Sequence, residues 1–142
     1  MKRVVLYILI LTGIVLIPVR PSDVGELEPI QAVWLTVENE TVTLQTDTQD
    51  KGSGATVSEA LKNMKLLSEG IVFLDTAQFL LVSENAIDKI AEIEPYLKGS
   101  VKVCLWDGEG ELCDAAKYMQ AHRFGCRLSQ WQIEVKLPNL PL

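Results

Sequence analysis

An apolar run near the N-terminus constrains this chain more than any other feature. The run begins at Val4, ends at Val19 and contains no charged side chain, while Lys2 and Arg3 precede it. Its 16 residues would form a helix of about 24 Å, which approaches the roughly 30 Å hydrocarbon core of a bilayer. Because positively charged flanks stay in the cytoplasm, we expect everything after Arg20 to lie outside the cell.

The run fits a membrane anchor or a cleavable signal peptide, and a buried core helix is the least favoured alternative. A signal requires small residues at its cleavage site, but the only small candidate here, Ser22, has Arg20 two positions before it. The sequence therefore favours a single-pass anchor over residues 1–22, and secretion after cleavage is the alternative. In both cases residues 23–142 are expected to form one extracytoplasmic domain, since about 120 residues suffice for one compact unit and not for two.

The charge balance excludes two classes of ligand for that domain. Without Lys2 and Arg3, 11 basic side chains remain against 19 acidic ones, a net charge of −8. A surface this acidic repels polyanions, so we expect neither nucleic acid nor anionic lipid to be its principal ligand.

Hydrophobic periodicity predicts an α/β fold. Strands are expected over residues 29–46 as a hairpin, 71–74, 79–82, 101–105 and 131–137, and helices over residues 56–70, 85–98 and 112–122. The resulting order is β-β-α-β-β-α-β-α-β, a mixed β-sheet with helices packed on one face, preceded by the N-terminal hydrophobic helix. Residues 47–54 are expected to form a loop.

The first of these helices has the clearest local signal. Thr56 and Glu59 form a capping box, in which a hydroxyl and a carboxylate each satisfy a backbone amide of the first turn. An apolar stripe follows at helical spacing, and its members are Val57, Ala60, Leu61, Met64 and Leu67.

Residues that carry catalytic chemistry are scarce. His122 is the single histidine, at the end of a predicted helix, where an imidazolium suits the helix C-terminus. The three cysteines, Cys104, Cys113 and Cys126, lack the spacing of zinc ligands and allow at most one internal disulfide. We therefore predict no catalytic residue, no cofactor and no metal site. A thiol enzyme that pairs Cys113 or Cys126 with His122 is the least favoured alternative.

Two candidate sites point to binding instead. Trp34 and Trp106 fall opposite the apolar parity of their strands, so they would form a docking surface if helices cover only one sheet face. Asp75, Thr76 and Gln78 lie between two apolar runs and are the candidates for the polar groups of a small-molecule pocket. Burial of the tryptophans by a second layer is the competing interpretation of the first site.

Three stretches of the chain resemble the N-terminal domain of the spore germination receptor C-subunit (Ger(x)C) family. They are SDVGELEPIQAVWLTVENETVTLQT, ATVSEALKNMKLLSEGIVFLDTAQFLLVSEN and EPYLKGSVKVCLW. The chain lacks the lipidated cysteine near the start and the second and third domains that are usual in the family.

The resemblance implies a non-enzymatic protein on the outer face of the cytoplasmic membrane of a spore-forming bacterium. Its partners would be an integral membrane subunit and a second receptor subunit, in a complex that senses nutrients. No site residue of the family transfers to a position of this chain.

Overall fold

The computed structural model of the chain describes residues 4–8, 12, 29–130 and 138. The strands are β1 (Ala32–Glu38), β2 (Thr41–Thr46), β3 (Lys51–Gly54), β4 (Phe79–Val82), β5 (Lys102–Leu105) and β6 (Cys126–Arg127), and the α-helices are α1 (Val57–Leu67), α2 (Ile90–Ile93) and α3 (Leu112–His122). The six strands form one mixed sheet in the order β3-β2-β1-β4-β5-β6. The predicted α/β class with a mixed sheet is confirmed.

The predicted hairpin is present as β1 and β2. The two strands pair antiparallel, with Val37 opposite Val42. Asn39 and Glu40 make the turn with φ of 48° and 63°, the left-handed conformation that a two-residue type I′ hairpin turn requires at both positions.

The loop expected over residues 47–54 is wrong in its second half, because Lys51–Gly54 forms β3. Gly52 and Gly54 have no side chains, so they leave no hydrophobic pattern in the sequence. They also let the strand approach α1 closely. A Cβ on Gly52 would overlap the carbonyl oxygen of Ala60 and the backbone nitrogen of Met64.

The capping box of α1 is present. The Thr56 hydroxyl accepts from the amide of Glu59 at 3.2 Å, and the Glu59 carboxylate accepts from the amide of Ala55 at 2.9 Å. Four members of the predicted stripe are buried: Val57, Ala60, Leu61 and Met64. Leu67, the last member of the stripe, is 76% exposed.

The strand predicted over residues 71–74 is also wrong. Val72 and Leu74 are buried and Ile71 and Phe73 are exposed, which is the alternation that suggested a strand. Among the described residues no strand pairs with this segment, and Leu74–Thr76 forms a 3-10 helix. Alternating burial is a local property, whereas a strand also requires a hydrogen-bonded neighbour.

The helix predicted over residues 85–98 is only partly α-helical. Glu84–Lys89 and Glu94–Tyr96 are 3-10 segments on either side of α2. The third predicted helix, in contrast, is present as α3, with Leu112, Ala115, Ala116 and Met119 buried.

Helices cover both faces of the sheet, so the predicted one-sided packing is wrong. One apolar cluster joins α1 and α2 to residues such as Leu35, Leu80 and Val103. A second cluster joins α3 to the opposite parity of the same strands, including Leu81 and Cys104. All four residues of β4 are buried, as expected for a central parallel strand with helices on both sides.

Two predicted elements lie outside the described residues. The strand over residues 131–137 is one, and most of the N-terminal apolar run is the other, since only residues 4–8 and 12 of it are described and residues 4–8 are helical. Within the described residues, no helix has the length and apolar character needed to cross a membrane.

Candidate functional site

The predicted tryptophan surface is covered rather than open. Trp34 and Trp106 contact each other edge to face, with ring centroids 5.1 Å apart. Trp106 is 5% exposed and packs in the cluster under α3, with Trp34 half-buried at its border. Gly108, at φ +85°, lies so close that a Cβ there would be 2.8 Å from Cζ2 of Trp34. The competing interpretation, burial by a second layer, describes this pair.

The predicted pocket residues, in contrast, meet at one cleft. Asp75, Thr76 and Gln78 all line a cleft of about 750 Å³, a volume within the range of small-molecule sites. The described residues that line it are Pro29, Gln31, Asp75, Thr76, Ala77, Gln78, Phe79, Lys98, Ser100, Lys102, Met119, Gln120 and Arg123.

Sheet topology explains why residues so distant in sequence converge there. Strands β1, β4 and β5 are parallel neighbours, so their N-terminal ends lie at the same edge of the sheet. The amide of Gln78 donates to the carbonyl of Gln31 at 2.8 Å, and the amide of Lys102 donates to the carbonyl of Gln78 at 2.9 Å. These bonds place the segments before three strands side by side as the floor of the cleft.

Two side chains fix the walls of the cleft. The Thr76 hydroxyl lies 3.1 Å from the carbonyl oxygen of Ile30 and 3.0 Å from that of Phe73, which holds the 3-10 turn against the start of β1. The Lys102 ammonium donates to the carbonyl of Arg123 at 3.2 Å. This second bond joins the end of α3 to β5.

The charges of the described lining are mostly positive. Lys98, Lys102 and Arg123 face one carboxylate, Asp75. The chain as a whole has a net charge of −6, so the charge of the described lining is opposite in sign to that of the chain. The sequence pattern predicts Asp75 as a pocket residue but none of the three cations, because they come from three separate segments that the strand order brings together.

Arg123 has an unusual backbone conformation for its residue type. It caps α3 with φ 51° and ψ 36°, and its amide donates to the carbonyl of Met119. Left-handed positions that end helices are usually occupied by glycine, because a Cβ crowds the adjacent carbonyl there.

Cys113 and His122, one pair of the thiol-enzyme alternative, are not brought together. Cys113 and His122 lie nine residues apart on α3, which separates them by about 13 Å along the helix axis. His122 packs on the ring of Tyr118 at 4.3 Å. The Cys113 thiol is instead beside Lys117, where it raises the pKa of that ammonium together with Asp114.

The other cysteine of that alternative has backbone partners. The Cys126 thiol lies 3.5 Å from the carbonyl oxygen of Gln130, and all three cysteines are free. Among the residues that the structure describes, no group of three or more histidine, cysteine or acidic side chains is arranged to hold a metal ion.

Sequence reasoning also missed an apolar surface at the end of α1. Leu66 is 72% and Leu67 76% exposed. Leu66 lines two shallow depressions, one shared with Tyr96 and the other with Leu67. The sequence predicted an exposed apolar surface at the tryptophans. In the structure, exposed apolar side chains lie at the end of α1.

Comparison of the chain with protein-family models, with curated proteins and with solved structures gave no match.

Proposed function

We propose that this protein is a membrane-tethered, non-enzymatic extracytoplasmic domain that senses a small molecule in the cleft before β1, β4 and β5. The observation that carries the proposal is the convergence of Asp75, Thr76 and Gln78 with three cations at one cleft. Sites of this type combine a concave surface with a few polar groups that orient the ligand.

Binding without catalysis is supported by the chemistry of the lining. The described lining has amide, hydroxyl, ammonium, guanidinium and carboxylate groups but no histidine or cysteine. His122 and Cys113, the groups best suited to proton transfer and nucleophilic attack, lie elsewhere on α3. Asp75, the carboxylate of the described lining, is exposed to solvent.

The tether is supported by the apolar run and the charges before it. Nine residues, 20–28, separate Val19 from Pro29, and a fully extended chain of that length spans about 30 Å. Pro29 lines the cleft. In a tethered protein the cleft would therefore open within about 30 Å of the outer membrane surface.

The exposed end of α1 favours a second candidate, docking to an integral membrane subunit as in a germination-receptor-like complex. Leu66 and Leu67 are large, apolar and exposed, and such groups are enriched in the cores of protein interfaces. Copurification of a membrane protein with the wild type but not with Leu66→Glu would support docking. Equal recovery with both chains would contradict it.

Location is tested through Cys113, which is exposed, while Cys104 is buried. In a Cys126→Ala background, a membrane-impermeant maleimide added to intact bacterial cells should label Cys113, and the intact mass should be that of the uncleaved chain. Labelling only after lysis would contradict the extracytoplasmic location. A shortened, freely soluble product would replace the anchor with a cleaved signal.

Binding in the cleft is tested with the full chain in maltoside micelles and a panel of common metabolites. At least one compound should raise the melting temperature of the wild type and not that of Gln78→Trp, whose indole would fill the cleft. Glu69→Trp, at another exposed position, is the matched control and should respond like the wild type. The same response in all three chains, or no response in any, would contradict the proposal.

A further inference from the structure

We propose that the ligand of the cleft carries a compact anionic group, a phosphate or a carboxylate, and that Arg123, Lys98 and Lys102 bind it. This inference rests on the proposed function and specifies the chemical class of the ligand. It concerns a site at the N-terminal edge of the sheet, away from the tryptophan pair.

The first support is the charge of the lining. Lys98, Lys102 and Arg123 outnumber Asp75 by two among the described lining residues. Two ion pairs among the described residues, Lys89 with Glu92 and Lys117 with Asp114, do not involve the three cations of the cleft. The chain has 19 acidic and 13 basic side chains, yet three cations surround this one cleft. Such an excess of positive charge is what an anion-binding site needs.

The second support is the conformation of Arg123. Glycine would meet the left-handed geometry at φ 51° without the crowding that an arginine Cβ introduces. The guanidinium is thus present despite a backbone cost, and strain of this kind concentrates at binding sites. Guanidinium groups suit phosphate and carboxylate because their donors match two oxygens at once.

The third support is a set of neutral donors at the same cleft. The side chains of Gln31, Gln78, Gln120 and Ser100 line it, and all are exposed. No described residue hydrogen-bonds to these side-chain amides or to the serine hydroxyl. They can therefore donate to ligand oxygens that the cations leave unpaired.

The size and setting of the cleft select a small anion over a polyanion. A cleft of about 750 Å³ accommodates a ligand of metabolite size. The net charge of −6 on the whole chain opposes a long polyanion, which would extend past the cleft over acidic surface. The net charge favours a free solute as the owner of the anionic group, and the headgroup of a neighbouring lipid, which the charge balance of the sequence argued against, is the alternative that the test distinguishes.

The test uses the full chain in maltoside micelles, which carry no phosphate. Inorganic phosphate and citrate are titrated by calorimetry, and phosphatidylglycerol is added to the micelles in a separate arm. At least one of the three should bind the wild type, with an affinity that falls about tenfold or more in Arg123→Gly, because one charge-assisted contact is lost. Binding of phosphate or citrate identifies a free solute, and binding of phosphatidylglycerol alone identifies a headgroup.

Arg123→Gly distinguishes an effect on binding from an effect on folding. Glycine removes the steric strain of the left-handed backbone conformation, so the melting temperature of the variant should be unchanged or higher. Gln49→Gly, at φ 71°, is the control for backbone relief and should not weaken binding. Lys65→Ala, an exposed position on α1, is the control for the loss of one positive charge and should also bind like the wild type.

Two results would overturn the inference. One is that none of the three anions binds, and the other is that Arg123→Gly binds them as tightly as the wild type. If a neutral metabolite stabilises the wild type but not Gln78→Trp while the anions fail, the proposed function stands and only the anionic class is wrong.

Discussion

At the scale of single residues, Cys104 shows how burial changes chemistry. Its side chain is inaccessible to solvent in the cluster beneath α3, with its sulfur 3.5 Å from that of Met119. Burial raises the pKa of the Cys104 thiol to about 12, because a thiolate there would lose its hydration. The thiol is therefore a core side chain and not a nucleophile.

This burial predicts an alkaline loss of stability. The folded state keeps the Cys104 proton to higher pH than the unfolded state, so its contribution is intact below about pH 9 and disappears as pH rises toward 12. The full effect is about 4 kcal/mol of unfolding free energy. Cys104→Ala should lower the unfolding free energy at neutral pH by about 1 kcal/mol. Because the variant has no thiol at this position, its stability should also fall less than that of the wild type as the pH rises.

The measurement is denaturant unfolding of both chains at about pH 8 and about pH 11. The thiol's contribution to stability is intact at the lower pH and largely lost at the higher one. The tyrosines and lysines present in both chains affect the two curves equally, so the difference between the chains isolates Cys104. An equal decline in the wild type and in Cys104→Ala would contradict the assignment.

Residue-scale reasoning from sequence succeeded where the cause was local. The Thr56–Glu59 capping box involves neighbours in the chain, and both of its hydrogen bonds form. Asp75, Thr76 and Gln78 were found because a polar turn between apolar runs is visible in the sequence. Arg123 was missed because its role depends on the end of α3 reaching β5, a contact between segments.

At the scale of elements, the contact between β3 and α1 depends on the absence of side chains. Gly52 is buried, and the Asn63 side-chain amide donates to the carbonyl of Ser53 at 2.7 Å across the same contact. Sequence patterns register side chains, so a strand built on glycines looked like a loop.

This contact predicts a steep response to one methyl group. Gly52→Ala should destabilise the protein by about 3 kcal/mol, because the new Cβ meets backbone atoms of α1 that no rotamer change can move. Gly99→Ala is the matched control, since its nearest neighbour would be Ser129 Cβ at 3.4 Å. Denaturant unfolding that finds the two variants equally stable would contradict the packing of β3 on α1.

The helices were found more reliably than the layer to which each belongs. The periodicity of α3 gave its buried residues correctly, but periodicity does not say which sheet face a helix covers. The sequence did contain that information in the apolar run Phe79–Val82, all of which is buried. A strand in which every side chain is apolar needs a packed layer on both faces of the sheet. The second of these layers also buries Trp106.

At the scale of the whole molecule, helices cover both faces of the sheet, and the cleft lies at the N-terminal ends of its parallel strands. At the N-terminal end, Lys98, Lys102 and Arg123 gather around the cleft in an otherwise acidic chain. Pro29 lines the same cleft, so the site lies where the chain enters the domain. The proposed tether and the proposed ligand site therefore belong to one end of the molecule.

Hydrogen–deuterium exchange of the full chain in maltoside micelles, with and without a metabolite extract of the host cells, tests this account most directly. We predict slower exchange in residues 73–79, 98–102 and 120–124, with no change in residues 106–111 beside the tryptophan pair. Gln78→Trp should abolish that protection. Protection confined to residues 106–111, or no protection in any of these segments, would contradict the assignment of the cleft as the binding site.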